Sequence, residues 1–160
     1  MPKRLREDSA LIIRYAERLL DVGEIRAAES LLRQRINKTH DETLVLAYGH
    51  LYRGEMPKLL RHARKFANEL PESAAAQFTL ASLLYRNHEY DEAERVAKEV
   101  IKLDPHFAKA FRLIGEIKLV KNDEKAALLA FKEASDLTLD ERPKELIRKP
   151  GELLVEDTSK

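Results

Sequence analysis

Ala74 to Phe107 reads AAAQFTLASLLYRNHEYDEAERVAKEVIKLDPHF, and the next 34 residues, Ala108 to Glu141, read AKAFRLIGEIKLVKNDEKAALLAFKEASDLTLDE. Laid over one another, Leu80-Ala81 falls on Ile114-Gly115, Tyr90 on Glu124 and Ala93 on Ala127. Ala97 falls on Phe131, Val100 on Ala134 and Leu103 on Leu137. A fixed period with matched apolar and small positions is the signature of a repeat architecture. Working outward, a large residue followed by a small one recurs as Tyr15-Ala16 and Tyr48-Gly49. The small positions 16, 49, 81 and 115 therefore lie 33, 32 and 34 residues apart. A second landmark, the small residue opening the second half of each unit, appears as Ala28, Ala93 and Ala127. In the second unit Leu59 stands there, so that unit is degenerate.

Each unit divides into two helical patterns. Leu11, Ile12, Tyr15, Ala16, Leu19 and Leu20 recur at three and four and form one apolar face. Asp21 to Glu24 breaks this run at Gly23, which takes a left-handed turn without steric cost. Ile25, Ala28, Leu31, Leu32 and Ile36 then begin a second face. Equivalent breaks fall at Arg53 to Pro57, Arg86 to Glu89 and Lys121 to Glu124. Pro57 suits the first turn of a helix, where its missing N–H costs nothing. Pro71 and Pro105 separate units, since neither fits a helix interior. Strand alternation is absent. The expectation is an all-α chain of eight antiparallel helices in four hairpins: residues 9–39, 40–73, 74–107 and 108–141, preceded by an extension at 1–8. Residues 142–149, opened by Pro143 and carrying Leu146 and Ile147, are expected to cap the last hairpin, with a mobile tail at 150–160.

Composition narrows the function classes. Lys and Arg number 29 against 28 Asp and Glu, a net charge of +1 that offers no bulk attraction to nucleic acid or anionic lipid. Cysteine is absent, which removes disulfides, thiolate catalysis and Cys-based metal sites. No apolar run approaches the length of a membrane span, and no apolar stretch follows the basic Met1 to Arg6 as a secretory signal requires. A cytoplasmic chain is expected. The five glycines fall in neither GxGxxG nor GxxxxGK spacing, and no HExxH or GxSxG occurs. The chain is thus expected to be no enzyme and to carry no cofactor or metal.

The unit resembles the tetratricopeptide repeat (TPR). Leu80-Ala81, Tyr90, Asp91-Glu92-Ala93 and Leu103-Asp104-Pro105 carry the likeness in one unit. Phe111, Ile114-Gly115, Ala127, Phe131 and Ala134 carry it in the next. The resemblance implies a right-handed TPR superhelix that binds protein segments in its concave face. A narrower likeness runs from Pro2 to Gly49 through Leu5-Arg6-Glu7-Asp8, Leu11 to Ala16, Leu20, Gly23, Ala28-Glu29, Leu31-Leu32-Arg33, Asp41, Leu44-Val45 and Tyr48-Gly49. It resembles the C-terminal region of HemY-type proteobacterial inner-membrane proteins. That likeness implies a scaffold for haem-biosynthesis enzymes, tethered to the inner membrane in a longer parent. His40 precedes Asp41 where that family carries Trp.

Repeat geometry aims one set of first-helix positions into the groove: Ile13, Glu17 and Leu20; Leu46, His50 and Arg53; Phe78, Ser82, Tyr85 and Arg86; Arg112, Glu116 and Leu119. Of these, His50, Arg53, Phe78, Ser82, Tyr85, Arg86, Arg112 and Glu116 are the expected partner-binding residues, because interfaces concentrate aromatics and Arg. The partner expected is a protein or peptide. The Lys/Asn clamp by which some TPR proteins hold chaperone C-termini is missing, since only Lys109 agrees with it. Two alternatives stand beside the scaffold: a porphyrin carrier with His50 as axial ligand and Phe78 or Tyr85 on the ring, and a homo-oligomer joined through apolar edges. The basic run Lys58, Arg61, His62, Arg64 and Lys65 lacks interleaved aromatics, so a solvated helix face is expected rather than a nucleic-acid site. The carboxylates around Asp91 to Glu94 are expected to form solvated i,i+4 pairs.

Overall fold

A computed structural model describes residues 3–51 and 53–140. Eight helices follow one another: α1 (Lys3–Asp21), α2 (Ile25–Thr39), α3 (Glu42–Tyr48), α4 (Met56–Glu69), α5 (Ala74–Arg86), α6 (Tyr90–Leu103), α7 (Ala108–Val120) and α8 (Glu124–Asp140). No strand occurs among the described residues. The first helix runs on from Lys3, because the straight-chain residues before Ser9 contain nothing that stops a helix. The expected cap at 142–149 and tail at 150–160 lie outside the described residues.

Packing is between neighbours in sequence. α1 pairs with α2, α5 with α6 and α7 with α8, while successive first helices α1, α3, α5 and α7 line up along one side. Three of the hairpin turns use one device. Gly23, His88 and Asn122 stand seven residues after the small positions 16, 81 and 115, and all three adopt positive φ, +85°, +65° and +60°. A left-handed residue reverses the chain there and lets the next N–H close onto the end of the first helix: Glu24 N donates to Leu19 O, Glu89 N to Leu84 O and Asp123 N to Lys118 O.

The second unit departs from this plan, as its degenerate sequence foreshadows. α3 stops at Tyr48 after two turns, and the chain crosses from Gly49 to Glu55 before α4 begins with Pro57 in its first turn. Leu59, standing where the other units carry Ala, is fully buried. A Cβ on Gly54 would lie 3.2 Å from Leu59 Cδ1. The larger side chain thus packs against the turn that follows the shortened helix.

The core is a single string of buried residues from Ala16 to Ala130 that runs through all four units. Tyr48 and Phe66 meet edge to face at 5.2 Å in its middle. Side chains cap the helices that begin between units: Asp41 accepts from Thr43 N at 2.8 Å and Ser73 from Ala76 N at 3.2 Å. Asp41 also accepts 2.8 Å from Ser9 Oγ on α1, tying the first unit to the second.

Candidate functional site

The first helices leave a concave surface between them. Part of it is a cavity of about 370 Å³ that spans α3, α5 and α7. His50, Phe78, Ser82, Tyr85, Arg86, Arg112 and Glu116 all line it. Arg53 does not. It lies one step along the groove, with Glu17, Leu20 and Asp21, around a hollow of about 230 Å³. A third hollow of about 250 Å³ is walled by Ile13, Leu20, Leu46 and neighbours. His50 lines all three and so forms the junction of a continuous groove. It sits just past α3 rather than on it, in a tight turn where its N–H bonds Ala47 O at 3.1 Å.

Four cavity residues went unselected in the sequence: Gly49, Thr79, Lys109 and Leu113. Lys109 stands three residues before Arg112, on the same helix face, and this spacing was the available signal. Thr79 serves packing as well as lining, since its hydroxyl donates to Val45 O at 2.9 Å across the gap between α5 and α3. The two aromatics are braced rather than free. Phe78 lies 5.0 Å from Phe107, the residue that precedes α7, and Tyr85 lies 5.7 Å from Tyr90 of its own hairpin. Both keep part of their rings on the groove. Leu119, also expected there, is exposed at the end of α7 and lines none of these hollows.

The cavity is cationic on balance. Lys109, Arg86 and Arg112 face one carboxylate, Glu116, which sits 3.4 Å from Arg112. His50 reports this field: crowding by the groove walls lowers its pKa first, and the Lys109 and Arg86 charges lower it further against a smaller opposing effect of Glu17. No group of His, Asp and Glu capable of holding a metal occurs among the described residues.

Part of the remaining charge joins the units where solvated faces were expected, although Asp91 is exposed and Glu94 keeps an i,i+4 pair with Lys98. Glu94 is 6% exposed and takes Lys98, Lys118 and Lys121 at 2.7, 2.9 and 2.9 Å. Burial pushes its carboxyl up, but the three ammonium groups outweigh that and hold it at about 2. Glu29, 3% exposed, is gripped in the same way by Arg33, Lys58 and the Tyr48 hydroxyl at 2.9, 3.0 and 3.0 Å. Arg64 forks onto Glu92 at 2.6 and 3.0 Å. Lys58, Arg64 and, at 4.0 Å, His62 thus reach carboxylates on other helices. Acids one unit away account for these three, pairs that escape a helical-wheel reading, while Lys65 keeps an i,i+4 partner in Glu69 at 3.6 Å.

A string of helical hairpins with a lined concave face defines a repeat scaffold. The tetratricopeptide repeat family matches over residues 59–105 and 78–138, which together span half of the chain. The protein belongs to that family, a class of interaction scaffolds rather than enzymes. No curated protein matches it in sequence. Among solved structures it is similar to TTC0263, a thermophilic TPR protein of Thermus thermophilus, at 15% identity and a TM-score of 0.65, covering 81% of this chain and 74% of that one. MamA from Desulfovibrio magneticus RS-1 aligns at 14% identity and a TM-score of 0.62, over 84% of this chain and 78% of that one. A further MamA structure aligns at 20% identity and a TM-score of 0.59, over 86% and 84%. At such identities the likeness is one of fold. The narrower HemY-type resemblance, read from residues 2–49, lies outside the segment that the family match covers.

Proposed function

We propose that the chain is a non-catalytic adaptor that holds an acidic, partly apolar segment of a partner protein in its concave groove. The observation that carries this reading is the convergence of Phe78, Tyr85, Arg86, Lys109 and Arg112 on one cavity with a single opposing carboxylate. Phe78 and Tyr85 supply braced apolar area at low entropic cost, and the guanidinium groups supply charge-assisted hydrogen bonds to partner carboxylates or carbonyls. Enzymes of haem synthesis as the partners, and a cytoplasmic position near the inner membrane, rest on the residue 2–49 resemblance alone and form the narrower part of the proposal.

The test is capture from a cell lysate with the wild-type chain beside Lys109→Glu/Arg112→Glu. Both side chains are exposed, so helical content should not change. Proteins lost with the variant, and regained as acidic peptides that bind the wild type with strong salt dependence, support the adaptor. Equal capture by both chains removes the groove from the function.

A further inference from the structure

The groove calls for carboxylates that its own walls do not supply. Lys109, Arg86 and Arg112 share a cavity whose single acid, Glu116, already stands 3.4 Å from Arg112. No acid pairs with Lys109 among the described residues.

The chain carries a segment of the required chemistry. Twenty residues follow Asp140, and they divide by charge. Residues 142–149, RPKELIRK, hold four bases and one acid. Residues 152–157, ELLVED, hold three acids, three aliphatic side chains and no base. Pro150-Gly151 separates the two stretches, a dipeptide that punctuates rather than continues a helix. The second stretch pairs acid with apolar area, as the groove pairs bases with Phe78 and Tyr85; the first has the opposite sign and would be repelled there.

The fold brings residues 152–157 within reach. α8 runs back along α7 after a three-residue turn, and at 17 residues against 13 it returns past the start of α7. Lys109 and Arg112 stand near that start. The chain then has one helix to round, about 10–12 Å across. Residues 141–151 span up to about 36 Å when extended, and about 20 Å if 142–149 coil into a helix. Six extended residues cover about 20 Å, which matches the roughly 16–20 Å between the axes of α3 and α7 when neighbouring first helices pack at the usual spacing.

We propose that residues 152–157 lie in the concave groove of their own chain, with their carboxylates on the Lys109 and Arg112 side and their aliphatic side chains against Phe78 and Tyr85. The inference rests on the groove reading and adds its regulation. A tether of eleven residues holds the segment at an effective concentration of about a millimolar, which favours the same chain over a second copy. A partner must then displace a competitor of its own chemistry, so weakly acidic segments are turned away.

The test uses the full chain and a fluorescent peptide with the sequence of residues 150–158. Glu152→Gln/Leu154→Asn/Glu156→Gln/Asp157→Asn disables the competing segment and leaves all eight helices unaltered. Fluorescence anisotropy should show the peptide binding this variant at least about tenfold more tightly than the wild type. Adding Lys109→Glu/Arg112→Glu to the variant should abolish that gain. Equal affinity for the two chains, or binding to neither, overturns the proposal. Lysate capture judges the adaptor separately: it stands if partners are still lost with Lys109→Glu/Arg112→Glu, and falls if capture is equal. If added wild-type chain displaces the peptide from the variant, the segment enters other copies, and the same-chain arrangement is overturned.

Discussion

Gly115 on α7 and Phe131 on α8 approach so closely that a Cβ at residue 115 would lie 2.6 Å from Phe131 Cε1. One unit earlier the same two positions are Ala81 and Ala97, both fully buried. The pair thus shares a fixed volume, divided as two methyl groups in one unit and as nothing plus a ring in the next. Gly115→Ala gains about 1 kcal/mol of helix propensity but displaces the ring, an overpacking cost of about 1–3 kcal/mol. A net loss of about 1 kcal/mol is expected from urea unfolding. Combining it with Phe131→Ala, which recreates the Ala81/Ala97 arrangement, should cost less than the two single changes added together.

Acid should loosen the junction between the third and fourth units. The Glu94 carboxyl is lowered from 4.5 to about 2, so its contribution is fully present above pH 4.5 and is lost as pH falls toward 2. Glu94→Gln should destabilise the chain by about 2 kcal/mol at neutral pH, as expected for removing charge-assisted bonds from a buried group. Thermal melts of the two proteins should converge between pH 4.5 and pH 2; a gap that stays constant would place the stabilisation elsewhere.

Tyr48 ties the second unit to the first through one atom. Its ring is fully buried and its hydroxyl donates to Glu29 at 3.0 Å, with burial and the Glu29 charge together pushing the phenol pKa up. Tyr48→Phe keeps the edge-to-face contact with Phe66 and removes only that bond. A loss of about 1–2 kcal/mol is expected in chemical unfolding, because a buried carboxylate loses one of its donors.

In the groove, His50 is held below the ordinary imidazole value by crowding and by Lys109 and Arg86. Lys109→Ala should therefore raise its midpoint in an NMR titration, and Glu17→Ala should lower it. An unmoved midpoint in both variants would mean that these charges do not reach the His50 imidazole.

The period of the repeat, the helix breaks and most of the groove were legible because each depends on spacing along one helix. Phe78, Ser82 and Tyr85 share a face of α5 by that spacing alone, and α7 offers Arg112 and Glu116 on its own. The early end of α3 was harder to see. Leu59 marked the unit as degenerate, but its place on α4 says nothing of where α3 stops. The partners of Glu29, Arg64 and Glu94 were hidden for a different reason. They depend on how one hairpin rotates against the next, which no single-helix pattern records, so Glu94, expected on a solvated face, is buried.

Each helix touches only elements close to it in the chain, as coils in a spring do. The cavity against α3, α5 and α7 spans three of those coils. An occupant gripping Arg112 at one side and His50 at the other acts as a further strut across units that the core and the ion pairs already join. Its arrival is then felt as stiffness transmitted along the axis, with no need for any helix to change its fold.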